Sequence, residues 1–218
     1  MTDLDAGRPR IVCAIHGILT RVTAPSWCDA FDSWMWSRDP RVRVVKREYV
    51  AAPVPMWNVW IKNRILARAL CADVMALLSD HPGAIVHMLA HSNGACIALR
   101  AARMLSDAGA EMGALVLAGA ACSEDADRSG ALDLLGSGAA RRLVAYCSTD
   151  DWVTYSRLIW PYGRLGFFGW RLRGAVYSQP GALETRWFAG GHNGYFRDST
   201  ARAHTFEAAA RDMGILEG

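Results

Sequence analysis

Residues 90–94 read Ala-His-Ser-Asn-Gly and stand between an apolar run, AIVHML, and a run of small residues that begins ACIALRAA. A serine placed where a strand turns sharply into a helix has its hydroxyl pushed clear of the sheet. Its neighbours must be small, because the backbone there is strained and the helix packs close to the strand. Such a serine suits nucleophilic attack, and the N–H of Asn93, at the start of the helix, suits a developing oxyanion. The plainer reading is a helix N-cap, a role that serine also favours. What else the chain supplies separates the two readings.

A serine hydroxyl is a weak nucleophile until a base takes its proton. Six histidines compete for that role: His16, His81, His87, His91, His192 and His204. His81 precedes Pro82 in a turn, His87 lies inside an apolar strand, and His204 lies on the last helix. His91 adjoins Ser92, but neighbouring side chains on a tight turn point apart. His192 lies in Gly190-Gly191-His192-Asn193-Gly194, where glycines on both sides let a loop carry an imidazole into a cleft. We assign it as the base.

The imidazole needs a carboxylate that fixes its tautomer and supports the imidazolium. Asp150 and Asp151 follow the apolar run RLVAYC and compete for this role. Alternation directs one of them inward, and Val153 as a loop anchor favours Asp151. Glu124, Asp125 and Asp127, after the preceding strand, are the outside option. The second oxyanion donor is sought where the first strand ends, in Ala14-Ile15-His16-Gly17-Ile18. Ile18 is the candidate N–H there, paired with Asn93, and His16 is read as structural, its ring bonded to loop backbone. Gly17 ending a strand is the plain alternative.

These residues require a scaffold that brings strand ends together. Candidate strands are 10–15, 42–49, 84–89, 114–118, 142–147 and 184–189, and four of them are nearly all apolar. Continuous apolar strands suit a parallel sheet covered on both faces. Helical candidates lie at about 59–78, 94–108 and 200–213. Alternation of the two predicts βαβ units in a three-layer α/β/α sandwich, with a mostly parallel sheet of about six strands and right-handed crossovers. Two aromatic stretches break the rhythm: Pro25–Trp36 with Pro53–Trp60, and Ser156–Pro180. Both read as irregular segments that line a pocket, form a lid, or plug gaps between helices and sheet. Arg157, Arg164, Arg171 and Arg173 make the second stretch either an interfacial lid or a solvated face.

The 218 residues suit one domain spanning 1–218, with 156–180 as lid or insert, and can bury roughly 70% of the unfolded surface. The net charge of +3 and the scattered arginines argue against a nucleic-acid partner. Cys13, Cys96 and Cys147 lie in apolar runs, and the six cysteines form no CxxC pair, so we expect free thiols and no metal site. MTDLDAGRPR does not read as a signal peptide, and no stretch is long enough to span a bilayer. The expected setting is a reducing cytoplasm, without stable membrane insertion. Oligomeric state is left open, with tryptophans of the 25–60 region suited to an interface.

Four motifs in order carry a resemblance: Ile15-His16-Gly17-Ile18, Ala90-His91-Ser92-Asn93-Gly94, Asp150-Asp151-Trp152-Val153 and Gly191-His192. Over about Arg10 to Met213 the chain resembles the α/β-hydrolase superfamily. That family's triad acid is typically an Asp followed at two residues by Val, as at Asp151. The resemblance implies an α/β-hydrolase fold with a triad of Ser92, Asp151 and His192, an oxyanion hole at Ile18 and Asn93, and no cofactor. Departures are Ala90 in place of the usual glycine and a shortened core without a large cap. The expected activity is cleavage of a small-molecule carboxylic ester through an acyl-enzyme on Ser92. A lipase, thioesterase, lactonase or amidase would use the same groups, and a non-catalytic binding module on this scaffold is the rival from another class.

Overall fold

In the computed structural model, which describes residues 7–18, 26–49, 57, 61–155, 162–172 and 181–216, the apolar runs pair edge to edge. They form β1 (Arg10–Ile15), β2 (Val42–Arg47), β3 (Ile85–His91), β4 (Glu111–Ala118), β5 (Arg142–Cys147) and β6 (Leu183–Trp187). All neighbouring strands are parallel, in the order β2-β1-β3-β4-β5-β6. β1, β3, β4 and β5 are buried along almost their whole length, as strands covered on both faces must be. β6 is half-buried, which suits an edge.

Side chains alternate between two covering layers, because successive Cβ atoms point to opposite faces. Ile11, Cys13 and Ile15 of β1 and Leu115 and Leu117 of β4 pack against α2 (Asn63–Asp80), α3 (Gly94–Asp107) and α4 (Ala131–Gly136). Val12, Ala14, Val116, Val144 and Tyr146 face α1 (Trp27–Arg38) and the C-terminal helix α7 (Ser199–Asp212). Two single-turn helices lie between β5 and β6: α5 (Trp152–Tyr155) and α6 (Leu165–Phe168). Among the described residues no helix is long and apolar enough to cross a membrane.

The three-layer sandwich and its parallel sheet match the expected architecture. The chain runs from β1 outward to β2 and then returns to β3 on β1's other side. This leaves a topological switch point between β1 and β3, and a crevice outside the carboxyl ends of strands at such a point is where open α/β sheets bind ligands. The loop 16–18 follows β1 and Ser92 follows β3, so both border that crevice. The register sets Ile15 beside Ala90.

The first aromatic stretch differs from its reading as irregular. It forms α1, capped by Ser26, whose hydroxyl accepts the Cys28 N–H at 3.1 Å. Trp27, Phe31 and Met35 make a buried i, i+4, i+8 stripe. The stripe is masked in sequence because the outer side also carries apolar rings: Trp34, half-buried under Arg38, and Trp36, 60% exposed. Of the second aromatic stretch, 156–161 and 173–180 lie outside the described residues, as do most of Pro53–Trp60. The described part, 162–172, is laced onto the loops after β4 and β5: Gly163, Leu165 and Gly166 donate N–H bonds to Ala121, Cys122 and Ala120, and Gly166 accepts from Ser148. Arg164 and Arg171 lie over the Phe168 ring at 4.7 and 4.4 Å, and Arg164 also pairs with Glu124.

The helix assignment of α1 is checked by urea denaturation of two variants. Phe31→Ala empties a fully buried site and is expected to cost about 3–5 kcal/mol. Trp36→Ala trims an exposed ring and is expected to cost about 0.5 kcal/mol or less.

Candidate active site

Ser92 has φ 54°, the one non-glycine residue with positive φ among those described. This left-handed backbone costs of order 1–3 kcal/mol and persists where the surroundings over-determine it. Here they do. The Ser92 N–H donates to Ala118 at 3.0 Å, and its carbonyl accepts from Ala95 at 3.2 Å and Ala121 at 3.1 Å. Two glycines permit the close approach. A methyl on Gly94 would lie 2.7 Å from the Ile15 carbonyl oxygen, and one on Gly17 would lie 2.7 Å from Ser92 Cβ. Position 90 lies within β3, fully buried, and accommodates the alanine methyl in place of the glycine usual in the family the chain resembles. The N-cap reading does not hold for the serine: helix α3 starts after Asn93, and the Ser92 hydroxyl is engaged elsewhere.

That hydroxyl lies 2.8 Å from His192 Nε2. His192 Nδ1 lies 3.0 and 3.1 Å from the two Asp151 carboxylate oxygens. A carboxylate only accepts, so Nδ1 carries the proton and Nε2 is free to accept from Ser92. Asp151 is fully buried, and its Oδ1 also accepts the Thr154 N–H at 2.9 Å. Asp150 is exposed, and the carboxylate oxygens beside His192 Nδ1 are those of Asp151. The structure places the Asp151 carboxylate beside His192, though not through the Val153 anchor expected for it. Val153 is 46% exposed and anchors nothing; the carboxylate caps the short helix α5 through Thr154 instead.

Ile18 and Asn93 lie on the two sides of the crevice, after β1 and β3. Neither backbone N–H has an acceptor among the described residues. The Asn93 side chain is turned inward, away from the cleft. It exchanges two hydrogen bonds of 2.9 Å with Asn63 of α2 and donates to the Tyr49 hydroxyl at 2.5 Å. All three are buried, and burial raises the Tyr49 phenol well above its usual range. This polar cluster under the turn was not anticipated, because its members come from three separate segments with no shared motif.

The remaining histidines divide as follows. His16 Nδ1 meets the Gly17 carbonyl at 3.3 Å, as expected of a structural ring, and burial lowers its basicity. His87 Nδ1 accepts the Ala114 N–H at 3.1 Å inside the core. His81 caps the end of α2, and His204 packs on Phe188. His91 does more than the sequence indicated: its ring reaches the His192 backbone at 2.9 Å. Gly119, with φ 51°, was also missed; a methyl there would lie 3.3 Å from Asp151 Oδ2 and 3.4 Å from His192 Nδ1. The carboxylate at His192 Nδ1 is that of Asp151, Glu124 pairs with Arg164, and no three metal-ligating side chains gather among the described residues.

This arrangement belongs to a known architecture: the chain has the α/β-hydrolase fold. It is similar in structure to the RedJ thioesterase of prodiginine biosynthesis in Streptomyces coelicolor, with 14% identity over 95% of this chain and 91% of that one, at a TM-score of 0.53. It is similar to an esterase of Pyrococcus furiosus, with 12% identity, 98% and 84% coverage, and a TM-score of 0.58. Human thioesterase 2 aligns with 13% identity over 94% and 96%, at a TM-score of 0.51. In sequence, no family model and no curated protein matches the chain.

Burial, and then the facing His192 ring, hold the His91 imidazole down at about 3. The folded protein keeps it neutral, whereas an unfolded histidine takes a proton near its ordinary value of about 6.5. The unfolded state thus binds the extra proton, and stability falls as pH drops below that value. Half-buried His16 adds to the same acid-side loss in any His91 variant. Urea melts of His91→Gln are expected to lose less stability than wild type between about pH 7 and about pH 5, by about 2 kcal/mol.

Proposed function

We propose that this chain is a serine hydrolase that cleaves small carboxylic esters through an acyl-enzyme on Ser92. The observation that carries the reading is the unbroken chain of contacts from Ser92 Oγ through His192 to the buried Asp151 carboxylate. His192 Nε2 takes the Ser92 proton as Oγ attacks the ester carbonyl. The N–H groups of Ile18 and Asn93 receive the oxyanion, and loss of one such donor typically costs roughly 10²–10³ in rate. Asp151 holds the ring by Nδ1 and offsets the imidazolium charge. His192 then returns the proton to the leaving alcohol, and water repeats the sequence on the acyl-enzyme.

An aromatic group adjoins the acid: Trp152, Tyr155, Phe167 and Phe168 contact one another with ring separations of 4.6–6.4 Å. On the other side Trp27 stacks on Phe196 at 4.2 Å. These surfaces support apolar acyl or alcohol groups. Thioesters are the second reading, supported by the likeness to two thioesterases; the same relay serves them with a thiol as leaving group. The six cysteines are free thiols, which supports a reducing compartment such as the cytoplasm.

Turnover of p-nitrophenyl esters graded by acyl length, beside the matching thioesters, tests the reading. Ser92→Ala is expected to remove turnover, and Asp151→Asn to lower kcat by about 10⁴. Asp150→Asn, on an exposed residue outside the relay, is expected to stay within about twofold of wild type. Retained turnover in Ser92→Ala would remove Ser92 from the mechanism, and an Asp150→Asn loss matching that of Asp151→Asn would contradict the choice of acid.

A further inference from the structure

His91 precedes Ser92 by one residue, and its Nε2 lies 2.9 Å from the carbonyl oxygen of His192. A carbonyl only accepts, so Nε2 carries the proton and Nδ1 is bare. The residue is 5% exposed, and Nδ1 has no hydrogen-bond partner among the described residues. Around it stand the rings of His192, Phe196, His16 and Tyr195, with centroids 5.0, 5.4, 6.1 and 6.4 Å away. A position filled for packing alone would avoid this orphaned nitrogen, whose burial without a partner is unfavourable. The single bond that the ring does make goes to the main chain of the base.

We propose that His91 is a positioning residue for the triad: it clamps the loop carrying the base to the strand carrying the nucleophile. The proposal rests on the reading of Ser92 and His192 given above. Those two residues are 100 apart in sequence. Without a direct tie, the gap between Oγ and Nε2 would accumulate the displacements of β4, β5, β6 and the loop beyond. The clamp closes a short ring: Ser92 to His91 by a peptide bond, His91 to the His192 main chain by one hydrogen bond, and the His192 side chain back to Ser92 by another. Other ties to the main chain of this loop lie farther from the imidazole. The Ser148 hydroxyl donates to the Gly190 carbonyl, and the Thr205 hydroxyl to that of Tyr195. The clamp also survives the reaction: a ring neutral down to about 3 does not compete for the proton that His192 takes from serine.

The test compares His91→Leu with His91→Gln, whose side-chain amide can donate to the same carbonyl. Two rates are read: phosphonylation of Ser92 by a fluorophosphonate, and kcat and KM on p-nitrophenyl butyrate. Leucine is expected to slow phosphonylation and kcat by roughly 10- to 100-fold with KM nearly unchanged, and glutamine to recover most of that loss. If leucine prevents folding, His91→Asn takes its place, being polar but one methylene too short to reach. Slow asparagine beside fast glutamine supports the clamp. Equal rates in glutamine and its partner variant, or a leucine variant within about twofold of wild type, would overturn it. Failure of wild-type Ser92 to react with the fluorophosphonate would instead overturn the triad reading, and the clamp with it.

Discussion

The left-handed backbone of Ser92 is the constraint on which the rest of the site depends. It is a local conformation that no residue other than glycine adopts readily. Three main-chain hydrogen bonds hold it: to Ala118 at the end of β4, to Ala95 in α3, and to Ala121 in the loop after β4. Gly17 lets the loop after β1 close in on the serine, and Gly94 lets α3 close in on the end of β1, to distances that a side chain would forbid. The hydroxyl is thereby aimed along the rim of the sheet, where the loops after β4 and β5 and the loop beyond β6 also converge.

The second requirement is a buried carboxylate beside the histidine. An ion away from water is unfavourable unless its oxygens are satisfied. Asp151 meets this with His192 on both oxygens and the Thr154 N–H on one. Gly119 keeps the space beside it clear, since a methyl there would press on both Asp151 and His192. Tyr195, whose hydroxyl donates to the Tyr146 carbonyl at 3.0 Å, fastens the histidine loop to β5. The site is thus carried by strand ends and short turns.

Much of this was legible in residue order alone. Buried parallel strands announce themselves as unbroken apolar runs, so β1 and β5 fall at the residues expected and β3 and β4 within a few. A serine between small residues at a strand end, a histidine among glycines and an acid past RLVAYC each carry their own local signal, and the structure brings Ser92, Asp151 and His192 within hydrogen-bond reach. What was not legible depends on packing between distant segments. Helix α1 hid its stripe behind outward-facing tryptophans. Thr154, not Val153, supports the acid, because support came through a backbone N–H, which no side-chain pattern reveals. His91, Asn63 and Tyr49 owe their contacts to the way the sheet and α2 fold around the turn.

Rapid quenching with p-nitrophenyl butyrate, followed by mass spectrometry of the digested protein, tests most directly whether these three side chains work as one nucleophilic unit. The triad predicts a butyryl group on the peptide containing Ser92, formed in the first turnover and absent when His192 is replaced by alanine. A protein that releases nitrophenol with no acyl group on Ser92, or that acylates Ser92 equally fast without His192, would contradict it.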